Sequence, residues 1–211
     1  MQRLMERLTE RAPEAAPYAT PGAAPRVAYQ GEPGAFSEQG VALHWAGAAE
    51  AVPLPTFGAV ADAVAEGTAT YGLLPVENSI VGPVHEAVIA LGSRPLAIVG
   101  ELRLPIRQCL LAPSGSTLDA LTSVESHPVA LAQCGRFLRA HPQLRPRAVL
   151  DTAAAARAVA DAGDRTRAAI ASAAAAARYG LVVLAEDVHD PVDNTTRFVV
   201  VARADAPEGR W

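Results

Sequence analysis

The sequence predicts an α/β fold with mostly parallel strands. From Arg26 onward, short apolar runs alternate with Ala-rich stretches of helical character. Half of the 211 residues are hydrophobic, which is enough to bury a sizeable core. Polar clusters follow directly after several apolar strands, at the strand ends where open α/β sheets bind their ligands. These observations indicate a ligand-binding α/β protein.

The first half of the chain alternates strands and helices that are separated by glycine or polar residues. A tight turn is expected at Gln30-Gly31-Glu32-Pro33-Gly34, with Ser37 near the start of the helix that follows. Gly67 ends a later helix, and the apolar continuity of residues 71–76 predicts a buried strand. The predicted elements in this half are strand 27–29, helices 36–45 and 57–66, strand 71–76, helix 84–91, extended segment 96–104 and strand 108–112.

The second half repeats the alternation. Asp151-Thr152 is a cap signal for an Ala-rich helix, and Ser172 opens a further helix that Gly180 ends at its C′ position. The predicted elements are strand 124–126, helix 129–140, strand 147–150, helix 153–162, strand 168–171, helix 172–179, and strands 181–184 and 197–201.

The order of the elements predicts two α/β lobes with a cleft between them. A Pro-containing stretch, 102–105, forms the crossover between the lobes, and the chain returns near 187–194. Lobe 1 is expected to comprise about 26–102 plus 190–203, and lobe 2 about 103–189. Residues 1–25, which include an Ala- and Pro-rich stretch, are expected to form a flexible tail that begins with a short amphipathic helix, and 204–211 a C-terminal tail.

Composition excludes several classes of protein. The net charge is −4 without a basic stripe, which argues against nucleic acid as a partner. The chain contains neither an uncharged run of membrane-spanning length nor an apolar signal-peptide core, which predicts a cytoplasmic location and no membrane partner. Cys109 and Cys134 lack metal-ligand spacing and are expected to be small buried hydrophobes. All 18 basic residues are Arg, a bias typical of a GC-rich genome rather than a sign of phosphate binding.

Three polar clusters are candidates for chemistry. Asn194 to Phe198 places an amide, two hydroxyls and a guanidinium just before an apolar strand. Glu77-Asn78-Ser79 and Ser126-His127-Pro128 each follow a strand. From the residues alone, the first cluster is equally typical of a loop, the second of a helix cap and the third of a turn, in which His127 acts as a local hydrogen-bonding group.

The motifs occur together in the order found in one enzyme family. The matching segments are 28–38, 72–79 with Gly82, Gly100-Glu101, 108–111, Glu125-Ser126-His127-Pro128, Ala132-Gln133-Cys134, and 179–201 with its Thr196-Arg197-Phe198 signature. Over roughly 26–203, the chain resembles prephenate dehydratase.

This resemblance implies a cytosolic enzyme that needs no cofactor and no metal. The implied reaction converts prephenate to phenylpyruvate, CO2 and water on the branch to phenylalanine. The implied fold has two α/β lobes like those of type II periplasmic binding proteins, with the site in the cleft. A homodimer or homotetramer is also implied. Since the sequence ends at Trp211, we expect the family's phenylalanine-sensing ACT domain to be absent.

By motif matching, the resemblance implies a specific set of site residues. The catalytic set comprises Thr196, Asn78, Ser126 and Gln133. The implied substrate-binding set comprises Arg197, Phe198, Ser79, Glu77, Ser37 and Thr195. Thr196 is expected to give a hydrogen bond to the leaving hydroxyl and Arg197 to hold a carboxylate, with Phe198 as an apolar wall. Val129 departs from the family, which often has Gln at that position.

Three other functions compete with this interpretation. Arogenate dehydratase performs the same elimination on the aminated substrate, and the segment 28–31 resembles both kinds of enzyme. A prephenate decarboxylase of specialised metabolism would keep the hydroxyl, although such proteins depart from the Glu-Asn-Ser and Thr-Arg-Phe motifs. A non-catalytic small-ligand-binding module is the third alternative.

Overall fold

The computed structural model of the chain describes residues 24–190 and 193–205. The helices among these residues are α1 (Phe36–His44), α2 (Phe57–Ala65), α3 (His85–Gly92), α4 (Pro128–Gln133), α5 (Gly135–Ala140), α6 (Thr152–Ala162) and α7 (Ala173–Tyr179). A single 3₁₀ turn at Leu118–Ala120 is also present in this part of the chain.

The strands are divided between two sheets. They are β1 (Arg26–Gln30), β2 (Glu50–Leu54), β3 (Tyr71–Asn78), β4 (Gly82–Pro83), β5 (Leu96–Pro105), β6 (Cys109–Ala112), β7 (Ser123–Ser126), β8 (Arg145–Ala148), β9 (Arg167–Ala171), β10 (Val182–Ala185) and β11 (Thr195–Arg203).

The first compact unit contains residues 24–30, Ser37–Leu104 and 195–205. Its sheet has the strand order β2-β1-β3-β11-β5, and the short β4 pairs with β3. The pairs β1–β2 and β1–β3 are parallel, whereas β11 is antiparallel to β3. Helices α2 and α3 supply apolar side chains to a core shared with Leu74, Val76 and Val199. The last residues of β3 therefore lie beside the first residues of β11 in this unit.

The second unit contains Gly31–Phe36, 105–190 and 193–194. Its sheet has the order β10-β6-β9-β7-β8, in which β7, β8, β9 and β10 run in one direction and only β6 runs in the opposite direction. Two buried clusters cover its faces. One packs α6 and α7 against Cys109, and the other packs the α4 and α5 region against Leu110 and Val124. The sheet is thus covered on both sides, as expected of parallel α/β units.

Local signals explain several helix boundaries. Asp151 Oδ1 accepts hydrogen bonds from the backbone N–H groups of Ala153 (2.6 Å) and Ala154 (3.0 Å) at the start of α6. Ser172 caps α7 through Ala175 N at 3.1 Å. Gly180 follows α7 with a φ of +68°, as an αL cap requires.

The predicted α/β class is confirmed, and the sheets also contain antiparallel pairs, because β6 pairs antiparallel with β9 and β10, and β11 pairs antiparallel with β3. Two sequence predictions are wrong. The predicted helix 129–140 is two helices that are separated at Cys134, where ψ is +23° and the Asp190 carboxylate caps the second helix at Arg136 N (2.8 Å). The strand predicted at 147–150 lies instead at β8, an exposed edge strand that contains Pro146.

The strand β2 was not predicted from the sequence, because its residues are only partly buried and include Pro53. The amphipathic helix expected at 1–11 and most of both predicted tails lie outside the described residues. Among the described residues, no helix has the length and apolar character needed to cross a membrane.

Candidate active site

The centre of the candidate site in the first unit is a hydrogen-bonded pair formed by Asn78 and Thr196. The Nδ2 of Asn78 donates to Thr196 Oγ1 at 3.0 Å, and both residues are buried. The other end of the amide is fixed, since Asn78 Oδ1 accepts from the backbone N–H groups of Ile80 (3.0 Å) and Val81 (3.2 Å). These two bonds identify Nδ2 as the donor toward Thr196. The Thr196 oxygen therefore accepts, and its own hydrogen remains available to another acceptor.

A β-bulge lies next to this pair. In the antiparallel ladder Thr196 is opposite Asn78 and Arg197 opposite Glu77, but Phe198 is opposite Pro75. Val76 is therefore the extra residue on β3. Bulges often redirect side chains beside functional sites, and this one separates the polar end of the strand pair from its buried part.

Other residues predicted for the site hold the two strand ends together. Ser79 Oγ accepts from the backbone N–H of Thr195 at 2.9 Å, and Ser79 N donates to the Thr195 carbonyl at 2.9 Å. Glu77 is exposed and lies opposite Arg197 in the ladder. The Glu-Asn-Ser and Thr-Thr-Arg segments are thus adjacent in space, although more than 100 residues separate them in sequence.

Arg197 forms an ion pair that the sequence did not identify. Its Nη2 and Nε lie 2.9 Å and 3.0 Å from the same oxygen, Glu101 Oε2. The Arg197 side chain is 12% exposed and that of Glu101 16%, so the pair is poorly screened by solvent. The only sequence signal for this partner is the Gly100-Glu101 motif, one of the segments that carry the family resemblance. The guanidinium is held in place by this carboxylate.

The two remaining predicted residues of this unit lie apart from the polar pair. Phe198 is 2% exposed and lies beyond the bulge on the buried part of β11. Ser37 is buried in the first turn of α1. Within the described residues, no hydrogen bond links Ser37 to Asn78 or Thr196.

In the second unit, Ser126 lies at the carboxyl end of β7. Its side chain is fully buried, and Oγ donates to the carbonyl oxygen of Ile170 in the neighbouring strand at 2.6 Å. The hydroxyl hydrogen is therefore committed to the protein, and only the oxygen lone pairs remain for a ligand.

Gln133, the last residue of α4, belongs to a small polar network. Its Oε1 accepts from Asn194 Nδ2 at 3.0 Å, and its backbone oxygen accepts from Asp190 N at 2.6 Å. Burial, and then the nearby negative charge of Asp190, raise the pKa of Cys134 to about 12. A glutamine at the end of a helix is usually solvated, yet Gln133 is only 8% exposed.

His127 is a local hydrogen-bonding group, as the sequence suggested. Its Nδ1 accepts from Val129 N at 3.2 Å and caps α4. Cys109 and Cys134 are both buried and free, which also agrees with the prediction. Burial is the main cause of the raised pKa of Cys109. Among the described residues, no cluster of three or more His, Cys, Asp or Glu side chains could hold a metal ion.

The turn that follows β1 has partners that sequence reasoning missed. The Tyr179 hydroxyl donates to the Pro33 carbonyl oxygen at 2.5 Å, and Ser172 Oγ donates to the Gly34 carbonyl oxygen at 2.9 Å. Arg157 pairs with Glu32 at 3.1 Å. Burial, and then the Glu32 carboxylate, raise the pKa of Tyr179. The Gly-Glu-Pro-Gly motif is thus fixed in the second unit by three side chains.

Comparison with known proteins identifies the same family as the sequence motifs, and the match covers most of the chain. The model of the prephenate dehydratase family matches residues 27–206. Arogenate dehydratase 1 of Petunia hybrida is 45% identical over 179 residues, which are 84% of this chain and 42% of that protein. Arogenate dehydratase/prephenate dehydratase 6, a chloroplastic protein of Arabidopsis thaliana, is 44% identical over 84% of this chain and 43% of its own length. The chain thus spans less than half the length of these curated relatives.

Solved structures are similar to this fold. The prephenate dehydratase of Arthrobacter aurescens in complex with L-Phe has a TM-score of 0.79 and 31% identity, over 86% of this chain and 61% of its own. GqqA, described as a novel type of quorum quenching acylase, has a TM-score of 0.79 and 37% identity, over 86% of this chain and 65% of its own.

Proposed function

The chain belongs to the prephenate dehydratase family, and we propose that it catalyses the decarboxylative dehydration of a cyclohexadienol dicarboxylate, arogenate or prephenate. The observation that carries this proposal is the buried pair in which Asn78 orients the Thr196 hydroxyl. This pair lies within the two family motifs, and it offers a preorganised donor that such an elimination needs.

The reaction sets three requirements. The bond between the ring and its carboxylate breaks, its electrons enter the ring, and the C–O bond opposite breaks to form an aromatic product. The leaving oxygen takes up one proton and departs as water. The protein must therefore donate a hydrogen bond to that oxygen, hold the retained carboxylate, and keep water from the carboxylate that is lost.

We assign the first requirement to Thr196. Its oxygen already accepts from Asn78, so the hydroxyl rotor is restrained and its hydrogen can be directed to the leaving oxygen. A neutral threonine is a poor acid, but one preorganised donor of this kind is worth roughly 3 kcal/mol in the transition state.

Arg197 is proposed to bind the retained carboxylate. The contact with Glu101 uses its Nε and Nη2, which orients the planar guanidinium. Ser79, Thr195 and Glu77 are proposed to shape the substrate-binding edge of the first unit, and Ser37 to support it from the N-terminus of α1. Phe198 is proposed as the apolar wall that limits hydration of the departing carboxylate.

Ser126 and Gln133 are proposed to orient the substrate from the polar edge of the second unit. Each is buried, and each is held by a hydrogen bond to a neighbouring strand or loop. Groups that are held in this way lose little freedom on binding, which favours a reactive geometry.

The names of the curated relatives favour arogenate at least as strongly as prephenate. The name of the Petunia hybrida protein mentions arogenate dehydratase only, whereas the name of the Arabidopsis thaliana protein mentions both arogenate dehydratase and prephenate dehydratase. We therefore widen the sequence expectation of prephenate to both substrates. A cytoplasmic location and a homodimer or homotetramer remain predictions.

The acylase activity in the description of GqqA has no specific support in this chain. An acylase of the serine type needs an accessible nucleophile beside a base. Ser126 is fully buried and donates to a backbone carbonyl, while His127 Nδ1 accepts from a backbone N–H.

The test is an assay of the purified chain with arogenate and with prephenate. Phenylalanine is expected from arogenate, or phenylpyruvate from prephenate, with CO2 released in equal amount. A product that keeps the ring hydroxyl would instead identify a decarboxylase. Tight binding of either compound without turnover would identify a binding module and refute the proposal.

A further inference from the structure

The polar end of the β3–β11 ladder does not follow the register of its buried part. In the buried part, Phe198 lies opposite Pro75. A ladder that kept this register to its end would place Thr196 opposite Glu77. The structure instead places Thr196 opposite Asn78, because the bulge inserts one extra residue into β3. The hydrogen bond between the Asn78 amide and the Thr196 hydroxyl therefore depends on the shifted register.

Strand alternation shows what the shift achieves. Leu74 and Val76 belong to the core cluster that α2 and α3 cover, and Asn78 would share their face in an uninterrupted strand. On β11, Val199 faces the same core, so that Thr196, three residues earlier, faces the other way. The bulge thus turns the Asn78 amide from the core face of the sheet to the face of Thr196.

The shifted end of the ladder has to be held by its own contacts, because the buried register would not produce it. On one side of β3, the strand β4 is only two residues long, and one of them, Pro83, has no N–H to donate. On the other side, Ser79 and Thr195 form the contact next to the Asn78–Thr196 pair. Ser79 N donates to the Thr195 carbonyl oxygen, and Thr195 N donates to Ser79 Oγ, each at 2.9 Å.

The Ser79 hydroxyl is needed at this point because the main chain already turns away from β11. Residues 79–81 form the turn that leads to β4, and Asn78 Oδ1 accepts from the N–H groups of Ile80 and Val81 within it. The hydroxyl oxygen of Ser79 supplies an acceptor for the first N–H of β11. An alanine at this position would remove that acceptor and leave the end of the ladder less firmly closed.

A loosened end of β3 would affect Asn78 but not the proposed carboxylate anchor. Arg197 lies on β11, and its guanidinium is held by Glu101 of β5, the neighbour of β11 on the side away from β3. Arg197 would therefore keep its partner when Asn78 moves away from Thr196. The expected loss is in the orientation of the Thr196 hydroxyl, and not in binding of the retained carboxylate.

We propose that Ser79 is a positioning residue, whose hydroxyl closes the shifted end of the ladder and so keeps the Asn78 amide on the Thr196 hydroxyl. This assignment rests on the proposed function, in which Thr196 gives a hydrogen bond to the leaving oxygen. Ser79 acts on the reaction through Asn78 and makes no contact of its own with the reacting atoms.

The first test replaces Ser79 by Ala. We expect kcat to fall about 5- to 10-fold for both arogenate and prephenate, the factor that corresponds to one hydrogen bond, with less than about a 2-fold change in KM. Exchange of the Thr195 N–H with solvent, followed by NMR, should become faster by about the same factor. Ser79→Thr keeps the hydroxyl and should restore both values.

The second test separates positioning from direct contact with the substrate. In a Thr196→Val background no hydroxyl remains to be oriented, so adding Ser79→Ala should change kcat by less than about 2-fold. A hydroxyl that bound the substrate itself would give the same loss in both backgrounds.

Ser93→Ala is the matched control. Ser93 Oγ also bonds a backbone group in the first unit, the Ala90 carbonyl oxygen at 2.8 Å, but at the end of α3. Its loss should leave both the kinetics and the exchange at Thr195 unchanged. Thermal melting reports folding, and Ser79→Cys, which keeps the shape with a weaker acceptor, replaces Ser79→Ala in both tests if that variant does not fold.

Three results would overturn the assignment of Ser79 in an active protein: wild-type kinetics in the folded variant, a loss confined to KM, or equal losses of kcat in the two backgrounds. If the wild-type chain turns over neither substrate, the proposed function fails and this assignment fails with it. That result is distinct, because it is seen without any variant.

Discussion

At the scale of single residues, the Thr196 hydroxyl is the group on which the proposed chemistry depends. Thr196→Val keeps the shape of the side chain and removes the donor. We expect kcat to fall about 10²- to 10³-fold with a small change in KM, because the hydrogen bond acts mainly in the transition state. Steady-state kinetics with both substrates measure this effect.

Two further variants serve as controls for Thr196. Thr196→Ser keeps the hydroxyl and should retain most of the activity. Thr122→Val removes an exposed hydroxyl that bonds the Thr166 carbonyl in the other unit, so its kinetics should match those of the wild type. Full activity in Thr196→Val would remove this residue from the mechanism.

The ion pair between Glu101 and Arg197 predicts a change in stability. Glu101→Gln leaves a largely buried guanidinium without its anion, so we expect the free energy of unfolding to fall by about 2 kcal/mol. Denaturant unfolding measures it. Glu50→Gln breaks an exposed pair with Arg26, in which the side chains are 58% and 50% exposed, and should change stability by less than about 0.5 kcal/mol. Equal effects in the two variants would contradict the importance of burial here.

Residue identities were easier to derive from the sequence than residue contacts. The resemblance selected Asn78 and Thr196 as site residues because each lies in a short motif. Their hydrogen bond depends on the pairing of β3 with β11, and the bulge at Val76 sets its register.

At the scale of elements, the turn after β1 shows why a glycine is needed. Gly34 has a φ of +93°, and a Cβ built there would lie 3.0 Å from Ala175 Cα. Gly34→Ala therefore combines backbone strain with a clash against the backbone of α7. We expect a loss of about 2–3 kcal/mol in the free energy of unfolding. Chemical denaturation of the purified variant measures this change.

Gly163→Ala is the matched control for this glycine. Gly163 also has a positive φ, +60°, but a Cβ there would have no neighbour within 4 Å. Replacement of Gly163 by Ala should therefore lower the free energy of unfolding only through backbone strain, by about 1 kcal/mol. If the two glycine variants are equally stable, close packing against α7 does not matter.

Elements with local signals were predicted well, and elements without them were not. The caps at Asp151 and Ser172 and the stop at Gly180 act through neighbouring residues, so the sequence alone located α6 and α7. The exposed β8 and the half-buried β2 lack an apolar pattern. The break at Cys134 depends on Asp190, more than 50 residues away, and was therefore missed.

At the scale of the whole molecule, the buried Cys134 thiol couples stability to pH. Its pKa is about 12 in the folded protein against an ordinary value of 9.0, so the unfolded chain loses this proton first as the pH rises. Folding therefore loses stability from about pH 9 toward pH 12, and the thiol contributes no pH dependence below that range. The free energy of unfolding should fall more steeply with pH in the wild type than in Cys134→Ala.

A comparison at neutral pH separates this effect from packing. Cys134→Ala removes a buried sulfur and should lower stability at pH 7, where the thiol is neutral in both states. Above about pH 9, the free energy of unfolding of Cys134→Ala should nevertheless fall less steeply with pH than that of the wild type. Parallel pH curves for the two proteins would show that ionisation of Cys134 does not contribute.

The discontinuity of the two units has a practical consequence. The chain passes from one unit to the other after Gln30, Phe36, Leu104 and Asn194. A fragment that starts at Pro105 would lack the Pro33 and Gly34 carbonyl groups that Tyr179 and Ser172 bind. A fragment that ends at Leu104 would lack β11, which lies between β3 and β5 in the sheet. No single cut in the gene can therefore yield a complete half, and separate expression of a folded lobe would require splicing distant segments or rearranging the chain termini.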